Sequence, residues 1–365
     1  AIRQLPGFRD FLYPSSVAGL RRQSGPGVVV MVCVSDLGSY ALLVTAREIR
    51  SVPLPAVSAY EVGRLTREYY QAIRTAAHEV TRTVLAWLWD HVAEPVLTEL
   101  GITGAPVHGW PRLWWAATGV LGLLPLHAAG RPEPGGHRTV LDRVVSSYTP
   151  TVRALAYARR DGAETDGDAS TLVVPMPRTR GGSDLPGSEA ETALIAGLRP
   201  AGTTVLAPAD AHRDRILAEL PRHARVHFAC HATNPDPRHP SAAALEVTGG
   251  RARPLSVLDV TRLRLTGELA FLSACSTANA GEALADEAIH LASAFQLAGY
   301  RHVIGTLWPV RDAVAGRVTG PVYDGIAAAG TADAAPVALH HAVRALRRRY
   351  PDRPALWATH VHSGS

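Results

Sequence analysis

The apolar positions of this 365-residue chain change period several times, and each change marks an element. The β-branched run Val28-Val29-Val30-Met31-Val32-Cys33-Val34 follows the turn signal Gly25-Pro26-Gly27 and reads as a buried strand. Tyr40 to Thr45, set off by Gly38-Ser39, predicts a second strand and a hairpin. From about Ser58 to Leu100 the spacing is helical and stops near Gly101. The Trp-rich stretch Arg112 to Thr118 reads as a further strand. Between Arg159 and Ser170 the chain is small and polar, unfit for a core. It predicts a junction between two halves, 1–165 and 166–365.

The second half alternates regularly. Strands are expected at Leu172–Met176, Thr203–Leu206, Val226–Cys230, Glu268–Ala274 and Val303–Leu307. Helices are expected at Ser188–Leu198, Asp210–Leu220 and Leu284–Ala298, the last closed by Gly299, and two Ala-rich helices follow. Such alternation predicts an α/β fold with a parallel, doubly wound sheet covered by helices on both faces.

Composition narrows the function classes. With 47% hydrophobic and 19% charged residues, the chain can build a core and is not generally disordered. Three cysteines (Cys33, Cys230, Cys275) are too few and too odd in number for a disulfide framework, so a reducing, cytoplasmic setting is expected. No apolar run reaches the roughly 18–20 residues that span a bilayer, and the first residues do not read as a signal peptide, so no membrane partner is expected. The net charge is +5, and all 37 basic residues are Arg. They cluster only at Arg21-Arg22, Arg159-Arg160 and Arg347-Arg348-Arg349, with no aromatic-interleaved stripe. They read as solvated surface charge, and no nucleic-acid partner is expected.

In parallel sheets, reactive side chains gather where strands end. Two ends stand out: Arg225-Val226-His227-Phe228-Ala229-Cys230-His231-Ala232 and Leu269-Ala270-Phe271-Leu272-Ser273-Ala274-Cys275-Ser276. If these strands are neighbours, His231 and Cys275 face one another. An imidazole beside a thiol can accept its proton and later protonate a leaving amine. Backbone N–H groups of Ala232 and Cys275 could hold an oxyanion. The plainer alternatives are a buried structural Cys and a loop-bonding His. Cys230 beside His231 lacks the further ligands of a metal site, so no metal or cofactor is expected. Cys33, Trp114 and Trp115 read as packing. His127 could mimic a catalytic position but has no Cys near it, and His340, His341, His360 and His362 read as solvated or capping.

The two strand ends, together with Ala298-Gly299-Tyr300-Arg301-His302-Val303-Ile304-Gly305-Thr306-Leu307-Trp308-Pro309-Val310-Arg311-Asp312, resemble the CHAT family, caspase-like cysteine peptidases often found downstream of tetratricopeptide repeats. Val145–Pro150, Leu185–Glu191, Asp286-Glu287 and the strands from about Gly25 extend the resemblance. It implies a caspase-like α/β/α sandwich with a mostly parallel sheet, a silent pseudo-caspase half before a catalytic one, His231 as general base and acid, and Cys275 as nucleophile. Ala232 departs from the Gly that relatives often carry, which would strain any positive φ there. Leu307-Trp308-Pro309-Val310-Arg311-Asp312 is similar to a separase stretch. That likeness makes Asp312 a candidate carboxylate for a basic substrate side chain, against a helix N-cap as the plainer role. Asp286 and Glu287 either line the Cys loop or complement a helix dipole. The implied partners are a protein substrate and a repeat-containing regulatory region or separate sensor protein, in bacterial stress, death or defence signalling. A scaffold of the same fold that binds partners without cleaving them is the alternative.

Overall fold

A computed structural model describes residues 16–131, 138–159, 169–178, 184–233, 243–249, 253–276, 285–310 and 312–365. Most of the predicted junction at 159–170 lies outside them. Among the described residues thirteen strands join in one sheet. The first half supplies β1 (Val28–Cys33), β2 (Tyr40–Val44), β3 (Ile49–Pro53), β4 (Arg112–Ala117) and β5 (Val145–Tyr148). The second supplies β6 (Thr171–Pro175), β7 (Thr203–Val205), β8 (Arg225–Thr233), β9 (Ala244–Leu245), β10 (Leu255–Ser256), β11 (Leu269–Ser276), β12 (His302–Thr306) and β13 (His360–Gly364). Across the sheet the order is β7-β6-β8-β11-β12-β13-β5-β4-β1-β2-β3, with β9 and β10 beside the end of β8.

The pairs β7–β6–β8–β11–β12 are parallel, as are β1–β4–β5. The meander β1–β2–β3, the arm β8–β9–β10 and the β12–β13 pair are antiparallel. Strands covered on both faces read as near-continuous apolar runs; β8 is buried at every position although Arg225, His227, His231 and Thr233 interrupt its apolar residues. Its Phe228 and Cys230 pack with Leu272, Phe295 and Val303 beneath helix Ala285–Ala298. On the opposite face Phe271, Val173 and Ile304 meet Ile195, Val318 and Val322 of helices Gly187–Leu198 and Asp312–Ala329. The expected α/β layering is present.

The helical period over residues 58–100 is present as Ala59–Thr75, His78–Leu88, a π turn at Trp89–Ala93 and Glu94–Glu99, with a break at Ala76, where φ is 55°. The expectations for the C-terminal histidines need correction. His360 and His362 are not a solvated tail: both are 1% exposed in β13, between β12 and β5. The ring of His362 is satisfied at both nitrogens, with Nδ1 2.8 Å from Ser147 Oγ and Nε2 3.1 Å from His302 Nδ1, whereas both ring nitrogens of His360 are buried without a hydrogen-bond partner among the described residues. His340 is buried too, against Trp110. No described helix is long and apolar enough to cross a membrane.

Candidate active site

β8 and β11 lie side by side in parallel register from Arg225↔Leu269 to Ala232↔Ser276, and this register sets Cys275 directly opposite His231. The neighbouring ladders stop sooner. β6 follows β8 only to Ala229, and β12 follows β11 only to Phe271, so the two strands carry these residues past their flanks. The His231 side chain is buried, and its carbonyl accepts the Glu246 N–H at 2.8 Å. Ala232 pairs with Leu245 and has no positive φ, so the absence of Gly there introduces no strain.

The side chains of residues 274–290 and 311–313 lie outside what the structure describes, and Cys275, Asp286, Glu287 and Asp312 are placed through their backbone alone. Asp286 and Glu287 fall in the first turn of helix Ala285–Ala298, and Asp312 opens helix Asp312–Ala329. The chain just after β12 is anchored: Leu307 N–H donates to Thr359 O (2.9 Å) and Trp308 Nε1–H to Ala355 O (3.0 Å). The Trp308 indole also packs edge-on against Tyr69 and Tyr70. A cavity of about 320 Å³ lies beside Leu307, between Trp115, Tyr148, Thr149 and Ser293.

Below the pair lies a polar cluster whose Glu191, His227 and Ser273 fall within the motif segments named above, although the sequence assigned them no role. Glu191, 3% exposed on helix Gly187–Leu198, places Oε2 2.8 Å from His227 Nε2, and the Ser273 hydroxyl donates to its Oε1 at 3.2 Å. The Tyr323 hydroxyl lies 3.4 Å from His227 Nδ1. A signal was available: Ser188, Glu191 and Ile195 form the buried stripe of that helix, and a carboxylate on such a stripe must find partners.

The other candidates fall elsewhere. His127 is buried against Tyr148, with Nδ1 2.9 Å from its hydroxyl, and burial pushes its pKa down to about 3. Cys230 packs on the opposite sheet face, and Cys33 is half-buried at the end of β1. Trp115 is core, and Trp114 lies between the guanidiniums of Arg112 and Arg159 at 4.6 and 4.5 Å. Among the described residues no three His, Cys, Asp or Glu side chains converge as a metal site.

The family profile described as CHAT domain matches residues 82–365. No curated protein matches the sequence. Among solved structures, the Saccharomyces cerevisiae separase–securin complex at 3.0 Å is similar with a TM-score of 0.63 and 10% identity, covering 95% of this chain and 30% of that one. The same complex at 2.6 Å gives 0.61, 11%, 95% and 31%. The complex of Porphyromonas gingivalis RgpB pro- and mature domains gives a TM-score of 0.45 at 11% identity, over 84% of this chain and 76% of that one. The chain thus spans under a third of the separase chains it resembles, and the likeness is one of caspase-like fold.

Proposed function

This chain belongs to the CHAT family, and on that premise we propose that it is a cysteine endopeptidase that cleaves a protein substrate through Cys275 and His231. The observation that carries the reading is the register of two adjacent strand ends, which sets the thiol-bearing residue opposite the imidazole. His231 accepts the Cys275 proton, and the thiolate adds to the scissile carbonyl carbon. The N–H groups of Ala232 and Cys275 hold the oxyanion. As the C–N bond breaks, His231 returns the proton to the departing amine and leaves a thioester. Water, deprotonated by His231, then adds to that thioester, and departure of the reprotonated thiol restores the site.

Asp312, which follows the anchored chain after β12, is the proposed recognition carboxylate for a basic residue before the cut, through charge-assisted pairing. Asp286 and Glu287 would line the Cys loop. Regulation by a repeat-containing region or a sensor on another chain, and action in the reducing cytoplasm, belong to the same proposal.

The test compares the full chain with Cys275→Ala and His231→Ala on candidate substrates, labelling newly formed N-termini. Both variants should lose cleavage while keeping the fold. Cleavage that persists in Cys275→Ala overturns the nucleophile assignment, and binding without cleavage by the unaltered protein favours the scaffold. A positional peptide library should show Arg or Lys preferred before the cut, a preference that Asp312→Ala abolishes. No such preference would remove Asp312 from substrate recognition.

A further inference from the structure

We propose that Glu191 is the positioning residue of this site: its carboxylate ties His227 of β8, two same-face positions below His231, to Ser273 of β11, one below Cys275, and so holds the register in which the two stand opposite. The inference rests on the dyad reading above and adds to it a residue that touches neither member.

Along a strand, positions two apart share a face. On β8 this aligns His227, Ala229 and His231, and on β11 it aligns Phe271, Ser273 and position 275. Ala229 pairs with Ser273 in the register, so the level beneath the dyad is occupied by small side chains. Glu191 enters there from helix Gly187–Leu198, with one oxygen on each strand: Oε2 toward His227 Nε2–H of β8 at 2.8 Å, and Oε1 accepting from Ser273 Oγ of β11 at 3.2 Å. With Nε2 donating, His227 Nδ1 is the acceptor that faces the Tyr323 hydroxyl of helix Asp312–Ala329 at 3.4 Å. Four elements therefore meet in one cluster, in which each oxygen of the carboxylate holds a different strand. Among the described residues, His360 and Arg225 are further titratable groups whose fields reach this cluster.

Stability alone does not call for this arrangement. The surroundings are apolar, with Phe271, Val173 and Ile195 in the core on this face. Well-packed hydrophobic residues often stabilise a core as much as a buried ionic group does. What the carboxylate adds is geometry. A one-residue slip between parallel strands would turn every side chain to the wrong face, and a ligand shared by both strands pins them where the dyad needs it.

The experiment measures the pH dependence of Cys275 alkylation by iodoacetamide in the full chain, resolved at residue 275 by peptide mass spectrometry. His231→Ala supplies the reference for a thiol without its imidazole. The unaltered protein should stay reactive below pH 7, and His231→Ala should move the profile up toward the free-thiol value of about 8.5. Glu191→Leu, similar in volume, should follow His231→Ala and react roughly tenfold more slowly at pH 6.5. Glu191→Gln, which keeps two hydrogen-bonding heads, should recover part of the wild-type profile. If Glu191→Leu does not fold, Ser273→Ala, which removes one arm without changing charge, becomes the deciding variant and should shift the same way. A folded Glu191→Leu or Ser273→Ala whose profile superimposes on wild type overturns the positioning role. An unaltered protein already matching His231→Ala overturns the dyad reading instead.

Discussion

At Gly299 the backbone has φ 124°, and a β-carbon would stand 1.8 Å from the carbonyl oxygen of Leu265. Its N–H closes the preceding helix on Phe295 O and Gln296 O at 3.2 and 3.0 Å. Gly299→Ala must shift backbone against backbone, and we expect it to cost more than about 2 kcal/mol in urea unfolding. Gly197, in open space on an exposed helix position, is the control: Gly197→Ala should be neutral or stabilising by up to about 1 kcal/mol. Equal effects at the two positions would contradict this account. The contrast also marks what one sequence can show. Gly299 was legible as a helix stop because its cause is local. The place of Glu191 was not, because its partners lie 36 and 82 residues away along the chain.

At the scale of elements, strands with largely apolar runs such as β1, β8 and β11 were legible, and so was the helical period after Ser58. β13 was not: His-Val-His-Ser-Gly has no apolar period, and of its two buried histidines only His362 is held by side-chain hydrogen bonds from the flanking strands. Helix Ala335–Arg349 gives a second case. Its closing arginines read as solvated charge, yet Arg347 reaches the first half, with Nη1 2.7 Å from Thr139 Oγ1 and Nη2 2.5 Å from Asp142 Oδ1. The hydrogen bonds from Arg347 and Thr139 hold the Asp142 pKa below its usual value against the opposing effect of burial. Arg347→Ala should destabilise the protein by about 2 kcal/mol or more, because it leaves a largely buried carboxylate with the Thr139 hydroxyl and, for charge, Arg344 at 3.5 Å. Arg348→Ala should have little effect. Urea midpoints for the two variants decide the point, and a silent Arg347→Ala would rule out this cross-half anchor.

The whole molecule carries an acid sensitivity in its imidazoles. Burial lowers the pKa of His127 and His340 to about 3 and that of His360 to about 4, from an ordinary 6.5. These folded-state values lie below the unfolded one, so the unfolded chain binds more protons between them. The stabilisation is complete above pH 6.5 and is lost as pH falls toward the folded values. Each histidine adds a slope of about 1.4 kcal/mol per pH unit. The urea midpoint should be flat from pH 8 to 7 and fall steeply from 6.5 to 5, before most carboxylates titrate. An unchanged midpoint across pH 7 to 5 would refute it. Replacing His360 with an apolar residue that the site accepts should flatten the slope.

The halves expected at 1–165 and 166–365 share one sheet, and β13 is the strand through which they meet. That placement has a kinetic consequence. β12 and β5 cannot cover their facing edges until residues 360–364 have been synthesised and have threaded between them, and bare strand edges are sites of mispairing. Closure therefore depends on contacts between residues far apart along the chain, which slow folding. On the ribosome, the part of the sheet that holds residues 231 and 275 gains the strand that joins it to the first half only after both have been synthesised.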